Sequence, residues 1–208
     1  MKLEKLDKRT AILSAAEKLF SELGYDGTST RKIAKESGAN MAMINYYFGS
    51  KDGVFQEIIT ARMNDFNSRL ITINEEKVSN LEKLMRVVDG YSERILSNIG
   101  FHRTMQMELS LSQRPEVFIQ IKEVMAKNLQ VIENIINEGV SNGSFRKVDV
   151  RMLIATIMGT ISNVAISPSK ITAGSTLDIN VPGDREILAK RLQLHLKDLI
   201  TTYLTPQK

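Results

Sequence analysis

Residues 30–48 read TRKIAKESGANMAMINYYF, and the reading of this stretch decides the fold. About eight residues of helical pattern, the three-residue turn Gly38-Ala39-Asn40 and a second short helical pattern give the spacing of a helix-turn-helix. Ile33 and Ala34 mark the inner side of the first helix, and Ile44, Tyr47 and Phe48 that of the second. The glycine lets the chain reverse tightly. The second helix then projects its outer residues, and such a helix fits a DNA major groove about 12 Å wide.

The pattern on both sides is helical. Upstream, Ile12, Leu13, Ala16, Leu19, Phe20 and Leu23 share one helix face, with Gly24 ending it and residues 25–28 turning. Downstream, Gly49-Ser50 breaks the chain and Ser50 is placed to cap a helix carrying Val54, Phe55, Ile58, Ile59, Met63, Phe66 and Leu70. Ser79-x-x-Glu82 is a capping-box pattern opening a helix that runs to about residue 100, and residues 101–112 read as another. Pro115 fits the first turn of a long helix through Ile121, Val124, Met125, Leu129, Ile132 and Ile136. Asn142-Gly143 makes a turn, Asp149 caps a helix over 150–166, and a last helix covers 185–204. Residues 167–183 are expected to be a loop, long enough to be mobile or functional, with weak alternation at 176–181. The expected fold is all-α: a three-helix DNA-binding domain over 1–55 and a larger helical domain over 56–208.

Composition narrows the function classes. The chain has 208 residues, 42% hydrophobic and 25% charged, within ordinary globular usage. It has no cysteine, which excludes disulfides, thiolate catalysis and cysteine zinc sites, and agrees with a reducing cytoplasm. The start alternates charge with single leucines and does not read as a secretory signal. The apolar run 152–166 is shorter than the roughly 20 residues a bilayer requires, so no membrane partner is expected. Two isolated histidines make no metal site, and no cofactor is implied. Of the net charge of +4, a surplus of +3 lies in residues 1–51, where nine Lys and Arg face six Asp and Glu. That placement points to a localised polyanion site.

At this point the sequence resembles a known family. Ile12-Leu13-x-Ala15-Ala16-x-x-Leu19-Phe20, Gly24-Tyr25, Thr28-Ser29, Ile33-Ala34, Gly38 and Ile44-Asn45-Tyr46-Tyr47-Phe48-Gly49-Ser50-Lys51 resemble the DNA-binding domain of the TetR family of bacterial repressors. Asn45 stands where the family commonly has tyrosine, and Gly49 where it commonly has proline or lysine, which alters the expected operator and not the fold. The resemblance implies a cytoplasmic regulator, not an enzyme, that binds palindromic double-stranded operator DNA as a homodimer and is released by a small-molecule effector.

Roles follow partly from that resemblance and partly from side-chain chemistry. Arg31 can read guanine, Asn45 adenine, and Ala42 with Met41 and Met43 thymine methyls, with Asn40 beside them at the helix start. Thr30, Tyr46, Tyr47 and Lys51 align with positions that grip phosphates, and Tyr47 is equally a packing residue. Lys2, Lys5, Lys8 and Arg9 are either an arm near the minor groove or a solvated helix start. In the larger domain, Met85, Phe101, His102, Met105, Phe118 and Met125 are the candidate effector pocket. Leu153, Ile154, Ile157 and Ile161, with Leu188, Leu192, Leu196, Leu199 and Tyr203, are the candidate dimer interface, with Gly159 and Ser162 permitting close approach. Two rival functions have a specific motif or feature. Ser167-x-x-Lys170 matches a bare serine–lysine nucleophile pair but lies in a proline-containing loop. An architectural DNA-binding protein without effector would need only the first quarter of the chain.

Overall fold

The protein is described by a computed structural model covering residues 2–111 and 115–206, with the side chains of 2–7, 115–118 and 120 outside the description. The described residues form ten helices and no strand: α1 Lys2–Gly27, α2 Thr30–Ser37, α3 Met41–Phe48, α4 Lys51–Glu75, α5 Asn80–Ser97, α6 Ile99–Leu111, α7 Pro115–Ser141, α8 Val150–Ile166, α9 Ser169–Thr172 and α10 Pro182–Leu204. The sequence signals at the helix starts act as their chemistry suggests. Ser50 Oγ accepts from Gly53 N (3.1 Å), Ser79 Oγ from Glu82 N (3.2 Å) and Asp149 Oδ1 from Met152 N (3.0 Å). The 167–183 segment is not wholly irregular, since α9 forms within it, and its alternating stretch forms no strand.

The helices gather into two compact units. The first takes residues up to 65 together with 98–125, so it reaches beyond the three N-terminal helices. Its core joins Ile12, Ala16 and Phe20 of α1, Ile33 and Ala34 of α2, and Ile44 of α3 to Val54, Phe55 and Ile59 of α4. Phe101 and Met105 of α6 and Ile121 and Val124 of α7 fill the same core. Phe55 sits at its centre, edge-on to Phe20 (5.0 Å) and Tyr25 (5.1 Å) and tilted against Phe101 (5.9 Å).

One expectation about α1 changes. Leu23 is 45% exposed and Tyr25 is buried in its place. The backbone at Gly24 leaves helical geometry (φ 70°, ψ 178°), which ends the face that Leu23 would have continued.

In the second unit, residues 66–97 and 126–208, α5 lies against both α8 and α10. Leu84, Val87 and Leu96 of α5 are buried with Leu153, Ile157 and Ile161 of α8 and Leu188, Leu192, Leu196 and Ile200 of α10. Lys197 Nζ pairs with Asp89 Oδ2 at 2.7 Å, tying α10 to α5.

Candidate nucleic-acid interface

The helix-turn-helix is built from short-range chemistry. Ser29 caps α2 by accepting from Lys32 N (3.2 Å). Gly38 ends it in the left-handed region (φ 62°, ψ 23°), a conformation with no steric cost for glycine, and Ala39 N closes the turn on Ala34 O (3.1 Å). Asn40 Oδ1 then accepts from Met43 N (2.9 Å) and starts α3. Ile44 anchors α3 in the core, and Met43, Tyr47 and Phe48 are half-buried against it. Met41, Ala42, Asn45 and Tyr46 face outward, with Met41 44% and Tyr46 75% exposed. No residue of α3 carries a charge.

The expected contact residues therefore divide. Arg31, Met41, Ala42, Asn45 and Tyr46 lie on the exposed side of the motif. Thr30, Met43 and Tyr47 reach it only in part. Asn40 is exposed, but its carbonyl oxygen already accepts the helix cap.

Lys51, expected from the resemblance to grip phosphate, has its side chain turned inward. Its Nζ donates to Tyr25 O and Thr28 O (3.0 Å each) and lies 3.9 Å from the centre of the Tyr25 ring. A cation held on two carbonyls and an aromatic face fastens the turn between α1 and α2. Tyr25 Oη donates to Asp52 Oδ1 (2.7 Å), so the same turn is also fixed to the first turn of α4.

Several cations of the basic N-terminal quarter have internal work. Arg9 donates to Glu57 Oε1 (2.6 Å), with its guanidinium 5.3 Å from the centre of the Phe48 ring, so it ties α1 to α3 and α4. Lys8 Nζ reaches Gly38 O (3.4 Å), Lys32 Nζ Gly27 O (2.7 Å), and Lys18 pairs with Glu36 (2.6 Å). The hydrogen bond and charge of Glu36 raise the Lys18 pKa, and those of Lys18 hold the Glu36 carboxyl below its usual value. The positioning role of Arg9 had no local signal, because Glu57 lies 48 residues away. The Lys2 and Lys5 side chains of the suggested arm lie outside the described residues.

A polar joint holds α6 on α1 in the same unit. Asn98 Oδ1 accepts from Phe101 N (3.1 Å) and from Ser21 Oγ (2.9 Å), while its Nδ2 donates to Glu17 Oε1 (2.8 Å). Arg62 of α4 pairs with the same Glu17 oxygen. Thr104 Oγ1 donates to Phe20 O (2.9 Å) one turn further on. Gly100 makes this approach possible, since a Cβ there would lie 2.5 Å from the Ser21 carbonyl oxygen.

The residues of the expected effector pocket are divided between the two units. Phe101, His102 and Met105 are buried in the first unit, Phe101 and Met105 within its core, whereas Met85 belongs to the second. Met125 is exposed, and the Phe118 side chain lies outside the described residues. In the second unit an open groove of about 390 Å³ runs between α4 and α5, floored by Phe66 and Ile73 and edged by Arg69 and Arg86.

The residues of the expected dimer stripes are mostly internal to the chain. Leu153, Ile154, Ile157, Ile161, Leu188, Leu192 and Leu196 are buried within the single chain, so little of them is left for a partner to cover. Leu199 is half-buried, and Tyr203 is exposed. The outer side of α8 carries Met152 (64% exposed), Thr156, Gly159, Asn163 and Ile166, and that of α10 carries Ile187 and Leu194 (70% exposed). Small and polar residues at this spacing carry a weaker apolar signal than the core stripe, which is why periodicity selects the internal face.

Comparison with known proteins agrees with this architecture. Residues 12–58 match the family described as bacterial regulatory proteins, tetR family, and residues 59–170 match the C-terminal region of YsiA-like proteins. The chain is 28% identical over 159 residues to the fatty acid metabolism regulator protein of Bacillus subtilis, covering 76% of this chain and 81% of that protein. It is 25% identical over 157 residues to the transcriptional repressor KstR2 of Rhodococcus jostii, covering 75% and 77%. Among solved structures, the regulator FadR of Bacillus subtilis in complex with stearoyl-CoA superposes with a TM-score of 0.73 at 24% identity, covering 90% of this chain and 97% of that one. The ketosteroid regulator KstR2 of Mycobacterium tuberculosis gives 0.73 at 18%, covering 96% and 95%.

Proposed function

The chain belongs to the TetR family of bacterial regulatory proteins, and from that premise we propose that it represses transcription by binding a palindromic operator as a homodimer. The observation that carries this reading is the division of α3, with Ile44 fixed in the core and Met41, Ala42, Asn45 and Tyr46 left outside. A helix held on one side and open on the other is what a major-groove reader needs. Two such helices in a dimer meet half-sites about one DNA turn apart. The functional division we infer is a reading domain over 1–55 and an effector and dimerisation domain over 56–208, acting in the cytoplasm.

The dimer face we assign is the outer side of α8 and α10, through Met152, Gly159, Ile166, Ile187 and Leu194. The effector class we assign is a fatty acyl-CoA. A relative named for fatty acid metabolism and a fold neighbour solved with stearoyl-CoA support that class. The groove between α4 and α5 offers the apolar Phe66 and Ile73 for an acyl chain. An effector of this kind weakens operator binding only as far as it prefers the non-binding state of the protein.

Selection of bound duplexes from a randomised pool tests DNA recognition. An enriched inverted repeat is expected, and retention that vanishes as salt rises, with no enrichment, would exclude it. Adding stearoyl-CoA to the repeat-bound protein is expected to release it, with coenzyme A alone as the control. Tight binding of stearoyl-CoA with unchanged operator affinity would reject the effector assignment.

A further inference from the structure

Resting on the DNA-binding reading, we propose that the operator half-site is A·T-rich where α3 docks, and that any guanine read in it is read by Arg31 of α2. The groups able to recognise guanine are few in this head. Guanine offers N7 and O6 in the major groove and is recognised mainly by arginine and lysine. α3, with sequence MAMINYYF, has neither.

The structure removes other donors nearby. Lys51 is held on Tyr25 O and Thr28 O, Arg9 on Glu57, and Lys32 on Gly27 O. Asn40 Oδ1 accepts from Met43 N at the start of α3. Arg31 and Lys35 lie one turn apart on α2, both exposed and neither side chain with an ion pair or hydrogen bond among the described residues; of the two, Arg31 carries the planar fork that matches guanine N7 and O6.

The groups α3 does present fit A·T pairs. Met41 and Ala42 offer apolar surface to the C5-methyl of thymine. Asn45 is exposed and its side chain makes no hydrogen bond among the described residues, leaving its amide oxygen and nitrogen for adenine N6 and N7. Tyr46, the most exposed large hydrophobic side chain described in the motif, lies next to Asn45. Such a surface discriminates by methyl contact and by one bidentate amide.

The test uses the full-length protein and the half-site recovered from the randomised pool. Each thymine facing α3 is replaced by deoxyuridine, which keeps base pairing and removes only the methyl. Affinity is expected to fall at least fivefold for the wild type and by less than twofold for the Met41→Ala variant. Replacing the adenine by 7-deazaadenine is expected to weaken the wild type about tenfold and to leave Asn45→Ala unaffected. A second pool selection with Arg31→Ala should lose preference at the guanine position alone.

A half-site whose central pairs are G·C and stay so with Arg31→Ala would overturn the proposal, and so would full affinity for the deoxyuridine operator. Both outcomes leave sequence-specific DNA binding standing. A pool with no enriched repeat would instead remove this proposal together with the reading on which it rests.

Discussion

On the proposed reading, Lys51 serves recognition through the fold of the head. Its ammonium is engaged by Tyr25 O, Thr28 O and the Tyr25 ring, so its influence on DNA passes through the α1–α2 turn that sets Thr30 and Arg31. Lys51→Ala is therefore expected to weaken operator binding about tenfold while non-specific binding and the slope of log K against log salt stay unchanged. Titrations at several salt concentrations check this, because loss of a direct phosphate contact would lower the slope by about 0.9. The Lys18–Glu36 pair gives a residue-scale pH expectation. Glu36 titrates below its usual range when folded, so its contribution is complete above the ordinary carboxylate pKa and fades as pH falls through the lowered one. Lys18 titrates higher when folded, so its share is complete below the ordinary lysine pKa and fades as pH rises through the raised one. An NMR titration of Glu36 should move back toward the usual value in Lys18→Ala.

At the scale of elements, the joint between α1 and α6 concentrates three kinds of constraint in a few residues. Asn98 caps α6 and hooks Glu17 and Ser21, Thr104 bonds the Phe20 carbonyl, and Gly100 permits the approach. Asn98→Ala removes the cap and the hook together, and urea denaturation should show a loss of about 2 kcal/mol. Gly100→Ala pushes α6 away from Ser21, with a cost of about 1–3 kcal/mol in the same measurement. Most helices were legible in the sequence because their ends carry local chemistry, as at Ser50, Ser79, Pro115 and Asp149. What was not legible depends on partners distant in the chain. The Arg9 bond to Glu57 and the inward turn of Lys51 have no periodic signature, and the short α9 lies where prolines and glycines suggested only loop.

At the scale of the whole molecule, the candidate recognition helix was readable almost completely from residues 30–48, whereas the second unit was readable as helices and not as surfaces. Leu153, Leu192 and their neighbours follow the period of a buried face, and periodicity alone does not say whether the burying partner is the same chain or another copy. Because those residues are already covered within one chain, breaking the dimer should leave the subunit folded. Leu194→Glu is expected to yield a monomer by sedimentation, with a helical circular-dichroism spectrum and operator affinity reduced at least a hundredfold. A mutant that unfolds instead would place Leu194 in the subunit's own core. The arrangement of cations in the head has a further consequence for the protein's life in a crowded genome. With Arg9 and Lys18 set against carboxylates and α3 uncharged, the cations left to hold random DNA on the proposed reading face are those of α2, Arg31 and Lys35 foremost. A head with so few free cations would leave fewer molecules stored on irrelevant sequence, so that a small number of copies per cell would keep the proposed operator occupied.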